Sequence, residues 1–164
     1  MQRETVDLGR PKHLTRSWLV AIVVLTVAVT PASFADSNMQ AGVILPADQL
    51  EWTPVAEGSP IHVATVWGDR SEGESGFLIK LPAGSKVGVH AHTGDYHGVL
   101  IAGTWIHIEE DGSGQDQELS PGSYVYQPGK AWHDDWCKAD GADCIILVHQ
   151  HEKSDFIPKE VPAE

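Results

Sequence analysis

Three histidines that fall within eight residues are the part of the sequence with the clearest capacity for chemistry. They are His90, His92 and His97, and they lie in the stretch from Gly84 to Gly103. His90 and His92 are two residues apart in an apolar, β-prone context, and such residues point to the same face of a strand. Neutral imidazole is the commonest protein ligand for transition metals. The spacing therefore predicts a metal site to which one short strand contributes two ligands.

His97 follows a turn signal, Thr93-Gly94-Asp95, and it begins the next apolar segment. A hairpin that folds back at this turn would bring His97 beside the first two histidines. A second segment carries a comparable pattern of a glycine turn, a strand, a Pro-Gly turn and then a histidine, which is His133. We therefore treat His97 and His133 as further candidate ligands.

The elements that must position these side chains are short strands separated by glycine and proline. Apolar segments such as 61–67, 76–81 and 144–149 are each bounded by turn residues. No segment after residue 35 shows a sustained apolar stripe with helical spacing. Evenly spaced short strands with turn signals predict an all-β sandwich or barrel.

The two histidine segments together resemble the paired motifs of the cupin family over residues 76–148. The residues that match the spacing of the family's motifs are Gly84, His90, His92 and Gly103 in the first and Gly122, Pro128 and His133 in the second. Short segments outside the two motifs resemble the exported single-domain cupins grouped as DUF4437. They include Trp67-Gly68-Asp69 and Asp155-Phe156-Ile157-Pro158. That group has no agreed biochemical role, so this resemblance supports a fold and a metal rather than an activity.

The chain departs from the cupin pattern at three positions. The usual glutamate is replaced by His97 or Tyr96, depending on the end from which the spacing is counted, and Cys137 stands where asparagine is usual. The glycine of the second motif falls one position early, at Gly129. Without the carboxylate, the site would be one charge less negative than in the usual cupin, which favours Lewis acidity and an anionic substrate.

The resemblance implies a single-domain cupin-type jelly-roll β-barrel with one divalent transition metal: zinc, iron, manganese, nickel or copper. The implied ligands are His90, His92, His97 and His133, with Tyr96 as the alternative third ligand. Otherwise Tyr96 is the predicted catalytic group, a phenol near the metal that acts in acid–base chemistry or as a hydrogen-bond donor. His149 and His151 weakly favour further metal binding, although a His-x-His near a strand end is also compatible with simple solvation.

The first 35 residues are typical of a secretory signal peptide. A polar start with four basic residues precedes an apolar run over 18–29, and the small residues Ser33 and Ala35 follow. This predicts cleavage after Ala35 and a periplasmic or secreted protein; an uncleaved membrane anchor is the alternative. We divide the remainder into an N-terminal arm over 36–51, a barrel over 52–158 and a tail over 159–164.

Charge limits the classes of partner that are compatible with the exported chain. Removal of residues 1–35 takes four of the 11 basic residues and two of the 23 acidic ones, which leaves seven against 21, a formal net charge of −14. Such an acidic surface disfavours nucleic acid and anionic membranes. We expect a small-molecule substrate or ligand, and the composition leaves a homodimer open.

The chain has two cysteines, Cys137 and Cys144, and they flank a segment with an Asp-Gly turn signal. In an oxidising compartment the pair predicts a disulfide at the neck of a hairpin. The alternative is a thiol ligand for the metal.

Two functional classes follow from these patterns. The first is a metal-dependent enzyme that acts on a small molecule as an oxygenase, lyase, isomerase or hydrolase. The second is a non-catalytic module that binds a metal or a small ligand outside the cytoplasm.

Overall fold

The structure is a computed structural model that describes residues 42–139 and 141–160. The predicted signal peptide lies outside the described residues, as do the first six residues of the predicted arm and the last four of the predicted tail. Within the described part, no helix has the length and apolarity needed to cross a membrane.

Ten strands and one short 3-10 helix, Ala47–Gln49, make up the regular structure of the described residues. The strands are β1 (Thr53–Pro54), β2 (His62–Gly68), β3 (Ser75–Leu81), β4 (His90–Ala91), β5 (Tyr96–Ala102), β6 (Trp105–Glu109), β7 (Tyr124–Gln127), β8 (His133–Cys137), β9 (Cys144–Gln150) and β10 (Ile157–Pro158). The predicted all-β class is confirmed.

The strands form two antiparallel sheets. One has six strands in the order β1-β2-β3-β9-β5-β7, and the other has four in the order β10-β4-β8-β6. Neighbouring strands are often distant in sequence, as with β3 and β9, which is the connectivity of a jelly roll. Consequently β4 and β8, which carry the first and second histidine segments, become direct neighbours.

Strict alternation of side chains produces the core. Along β9, Cys144, Ile146, Val148 and Gln150 are buried, whereas the intervening residues are partly exposed. Trp105 on β6 and Leu100 on β5 are each 1% exposed and pack into the same cluster. These apolar side chains fill one part of the interior and leave a cavity beside the histidines.

The predicted disulfide is confirmed. Cys137 at the end of β8 is bonded to Cys144 at the start of β9, and both residues are buried in the apolar core. Neither cysteine is therefore a free thiol that could act as a metal ligand.

Candidate metal centre

Three of the predicted ligands converge in the interior. His90 on β4 lies directly opposite His133 on β8, and His92 follows β4 immediately. Their ligand nitrogens all lie within 4.8 Å of one another. His90 and His133 are 3% and 1% exposed, and His92 is half-buried. The i, i+2 spacing thus correctly predicts that His90 and His92 lie together, and the pairing of β4 with β8 adds His133.

Each of these imidazoles is oriented by a backbone carbonyl. Nδ1 of His90 lies 2.7 Å from the oxygen of Gly88, and Nδ1 of His92 lies 2.5 Å from that of Asp155. Nδ1 of His133 lies 3.2 Å from the oxygen of Ala131. Because a carbonyl only accepts, Nδ1 carries the proton in each ring and Nε2 keeps its lone pair. This is the arrangement that metal-binding histidines usually have, so the three residues fit a divalent metal.

Burial keeps the imidazoles of His92 and His133 suited to this role. It lowers the pKa of His133 to about 4, although the nearby Asp135 carboxylate acts in the opposite direction. It also lowers the pKa of His92, against the hydrogen bond to Asp155. A metal requires neutral imidazole, because protonation occupies the ligating lone pair. Both rings are therefore in the binding form at neutral pH.

Asp135 is a residue of the site that the sequence analysis missed. Its Oδ2 lies 3.7 Å from Nε2 of His90 and 3.6 Å from Nε2 of His133. It is two residues after His133 on β8, so the alternation that identified His90 and His92 would also have identified Asp135. We expected a site without a carboxylate because the first motif lacks its glutamate, and in the structure β8 places the Asp135 carboxylate beside the histidines.

Asp135 is held as a carboxylate by two donors. Nε1 of Trp105 and Nδ1 of His107 lie 2.7 Å and 2.8 Å from its Oδ1, which leaves Oδ2 directed toward the histidines. Burial raises the pKa of Asp135, but the hydrogen bond from His107 and the surrounding imidazoles outweigh it and lower the pKa to about 2. For His107, burial alone would lower the pKa. The hydrogen bonds to Asp135 and Gln127 and the charge of Asp135 outweigh this effect, so the pKa of His107 is raised. His107 and Asp135 form a buried ion pair behind the three histidines.

Tyr96 lies at the position expected of it, beside the cluster. It is 6% exposed on β5, and its hydroxyl lies 3.4 Å from Nε2 of His133. Burial raises the pKa of its phenol well above the ordinary value, and Asp135 and Glu109 add to this effect. The phenol is therefore protonated and able to donate a hydrogen bond. This geometry is compatible with the predicted catalytic role and does not test it.

The structure does not bring His97 into this cluster, which corrects its predicted place among the ligands. His97 is adjacent to Tyr96 on β5, and neighbouring residues of a strand point to opposite faces. Tyr96 points inward, so His97 lies on the outer face, where its Nδ1 is 2.6 Å from the hydroxyl of Tyr124. Its ring stacks on that of His149 at 6.2 Å and meets that of His151 edge to face at 5.7 Å.

A cavity of about 490 Å³ opens from the histidines into the interior. This volume is ordinary for a small-molecule site. Its polar end includes His90, His92, Tyr96 and Asp135. Its walls are mostly apolar side chains from the six-stranded sheet, namely Val63, Phe77, Ile79, Leu81, Ile146 and Val148. The arrangement places a potential metal and a phenol at one end of an apolar chamber.

Two antiparallel sheets, a jelly-roll connection and histidines facing one another from two motifs define a cupin. The chain belongs to the family of the ChrR cupin-like domain, which it matches over residues 40–154. The superfamily inferred from the motifs is thereby confirmed. The narrower resemblance to the DUF4437 group stays a prediction.

Solved structures show the same fold. An RmlC-like cupin from Ralstonia eutropha JMP134 is 24% identical, with 75% of this chain and 78% of that chain covered and a TM-score of 0.59. The DMSP lyase DddQ from Ruegeria pomeroyi DSS-3 is 16% identical, with coverage of 71% and 64% and a TM-score of 0.57. The Rhodobacter sphaeroides complex of SigE with the anti-sigma ChrR includes an 18% identical match, with coverage of 64% and 51% and a TM-score of 0.50. A search of curated proteins found no match.

Proposed function

We propose that this chain is an exported, metal-dependent cupin enzyme that acts on a small organic molecule held in the cavity. The observation that carries the proposal is the convergence of three imidazoles, each with a carbonyl at Nδ1 that leaves Nε2 available for ligation. His90 and His133 are almost fully buried, and polar groups are costly to bury unless they gain a partner.

The proposed ligands are His90, His92 and His133, with Asp135 as the fourth. Asp135 has one oxygen free of other donors and directed toward two of the imidazoles. Imidazole with carboxylate suits zinc, iron, manganese or nickel, and copper is also compatible with it. A divalent ion held there would polarise a substrate oxygen as a Lewis acid or bind oxygen species if redox-active.

Tyr96 is the proposed proton donor. Its hydroxyl is next to the histidines and faces the same cavity, so a substrate atom brought to the polar end would meet it. The apolar walls would exclude water from that contact and strengthen the hydrogen bond. DddQ is named as a lyase, which is one of the reaction classes that this site could perform.

The alternative is a non-catalytic module that binds a metal or small ligand outside the cytoplasm. The same site geometry serves both functions, and turnover separates them. Metal-loaded protein would be incubated with pooled small organic molecules, and product formation followed by mass spectrometry beside a His90→Ala/His92→Ala control. Metal-dependent consumption of a compound supports the enzyme, whereas stoichiometric binding without consumption supports the module.

The metal itself is tested by elemental analysis of protein purified from its native host. After dialysis against a weak chelator, we expect about one transition-metal ion per wild-type chain and none in His90→Ala/His92→Ala. His62→Ala is the matched control, because His62 lies on β2 and its Nδ1 bonds to Pro60 away from the cluster. Full metal retention in the double variant would exclude the site.

Export is part of the proposal and is supported by the leader-like composition of residues 1–35 and by the disulfide, which is typical of oxidising compartments. Intact-mass measurement of the secreted or periplasmic form should give a chain that begins at Asp36. A mature chain that begins at Met1 would contradict cleavage.

A further inference from the structure

A row of buried polar side chains crosses the inner face of the six-stranded sheet. Ser75, Gln150, Tyr96 and Gln127 lie directly opposite one another on β3, β9, β5 and β7. They are 0%, 2%, 6% and 1% exposed. Directly opposed residues have Cβ atoms about 5 Å apart and share a face of the sheet. The two middle members of the row, Gln150 and Tyr96, line the cavity.

The two halves of this row differ in how their hydrogen-bonding groups are satisfied. Gln127 donates from Nε2 to the carbonyl of Ala131, and its Oε1 lies 2.9 Å from Nε2 of His107. By contrast, Nε2 of Gln150 and Oγ of Ser75 have no hydrogen-bond partner among the described residues. Buried donors are rarely left unpaired in proteins. Because Gln150 lines the cavity, its free donor points to a ligand that accepts hydrogen bonds.

Arg70 brings a positive charge to the same cavity. Its guanidinium lies 4.4 Å from the centre of the Phe77 ring and donates from Nη2 to Oγ of Ser154. Its Nε is buried and has no partner among the described residues. Among the described residues, Lys138 and Lys159 form ion pairs with glutamates. Arg70 forms no ion pair with a carboxylate of the described residues. Arg70 therefore brings a positive charge without an ion-pair partner to the lining of the cavity.

We propose that Arg70 and Gln150 form a carboxylate subsite, and that the cavity takes small organic acids with an apolar body. This inference rests on the proposed function, in which the cavity is the substrate site. Nε of Arg70 and Nε2 of Gln150 donate to the carboxylate, as guanidinium and amide groups do in other acid-binding sites. The body of the acid packs against Phe77 and its apolar neighbours, and its far end reaches the histidines.

The test uses uncharged isosteres of the same shape. Binding of phenylacetate and hexanoate to the mature protein is compared with that of phenylacetamide and hexanamide by isothermal titration calorimetry. We expect the acids to bind at least tenfold more tightly than the amides. Arg70→Gln should remove this preference, and Lys80→Gln should keep it, because Lys80 carries its charge on the opposite face of the sheet beside Trp52.

Two further measurements keep the result interpretable. Gln150→Glu is nearly isosteric and should weaken acid binding at least tenfold by repulsion, and its retained metal content would show that it folds. Metal-stripped wild-type protein should still prefer acids to amides. Equal affinity for acid and amide, or a preference that survives Arg70→Gln and disappears on metal removal, would overturn the subsite while leaving the metal site itself intact.

A second group of metal-ligating side chains lies on the outside of the same sheet, and it is independent of the cavity. We define the outer cluster as Glu74, His149 and His151. Oε1 of Glu74 lies 2.9 Å from Nε2 of His149 and 3.9 Å from Nδ1 of His151, and the three ligand atoms lie within 4.8 Å of one another. The rings of His149 and His151 meet edge to face at 4.5 Å. Two imidazoles and a carboxylate form a plausible facial set for a metal ion.

We infer that the outer cluster binds a second divalent transition metal, with zinc, nickel and copper as suitable ions. Glu74 and His151 are exposed and His149 is half-buried, so the outer cluster should hold the ion less tightly than the buried centre. Native mass spectrometry at tenfold excess zinc should show two ions on the wild type and on His62→Ala. His149→Ala/His151→Ala should keep one tightly held ion, and His90→Ala/His92→Ala one weakly held ion. A single ion on the wild type, or two on His149→Ala/His151→Ala, would refute the inference.

Discussion

His92 is tied to the C-terminal segment through Asp155, whose carbonyl oxygen lies 2.5 Å from Nδ1 of the histidine. The side chain of Asp155 also accepts hydrogen bonds from the backbone nitrogen and the hydroxyl of Thr93. Next to Asp155, Phe156 stacks on His90 with ring centroids 4.6 Å apart. Residues more than 60 positions downstream thus fix the orientation of the first histidine pair.

Asp155→Ala should weaken metal binding at the buried centre by about tenfold, since loss of groups that orient a metal ligand typically costs that much or more. The substitution removes both bonds to Thr93 and frees the segment that carries the carbonyl. A chelator competition assay measures the change. Thr93→Val removes one of the same hydrogen bonds, the one from the Thr93 hydroxyl. The Asp155→Ala/Thr93→Val variant should therefore bind the metal as tightly as Asp155→Ala alone. An affinity equal to that of the wild type would contradict this coupling.

Much of the site could be predicted from the sequence because alternation in strands is a strict rule. His90 and His92 are two residues apart, and that spacing alone places both rings on one face. Pairing of β4 with β8 was predictable only through the cupin resemblance, because the contact joins residues 43 positions apart. Asp135 was predictable by the same alternation from His133 but was not considered.

His97 shows where the sequence analysis failed. The predicted hairpin at 93–95 does not form, because β4 and β5 belong to different sheets. The parity of β5 then decides which of its side chains enters the interior. A shift of one residue exchanges the two faces of a strand. Tyr96 and His97 both suited the motif by spacing, and only the paired register of β5 with β9 places Tyr96 inside. The segment with Asp155 and Phe156 was noted only for its resemblance to other cupins, and its contacts with the histidines were not predicted because they depend on tertiary packing.

Removal of the disulfide should destabilise the fold modestly. The bond closes a loop with a sequence separation of seven, for which a chain-entropy estimate gives about 2–3 kcal/mol. Urea unfolding of Cys137→Ala/Cys144→Ala beside the wild type measures the difference in the free energy of unfolding. The denatured, unreduced wild type should take up no alkylating agent, and labelling of two thiols would show that the bond does not form.

The stability of the protein should depend more on the hydrogen-bonding oxygens of Asp135 than on its negative charge. Asp135→Ala leaves the Trp105 and His107 donors buried without their acceptor and breaks a buried ion pair, for which we expect about 3–5 kcal/mol of destabilisation. Asp135→Asn keeps an oxygen for these donors and should be the more stable variant. Both should bind metal at least tenfold more weakly if Asp135 is the fourth ligand. Thermal unfolding together with chelator competition separates the two effects, and undiminished metal affinity in Asp135→Asn would remove Asp135 from the ligand set.

Tyr96 and His97 are adjacent in sequence, and substitution of either should leave the metal content unchanged. His97→Ala should keep the full metal content of the buried centre, because the ring lies on the outer face beside Tyr124. Tyr96→Phe should also keep the metal, since the phenol is not among the three converging imidazoles. Turnover of any substrate found for the enzyme should fall at least a hundredfold in Tyr96→Phe if the phenol donates a proton, in line with general acid catalysis. Elemental analysis and turnover rates of the two variants provide the measurement. Metal loss in Tyr96→Phe would make the phenol a ligand instead, and metal loss in His97→Ala would contradict the strand register on which the site is built.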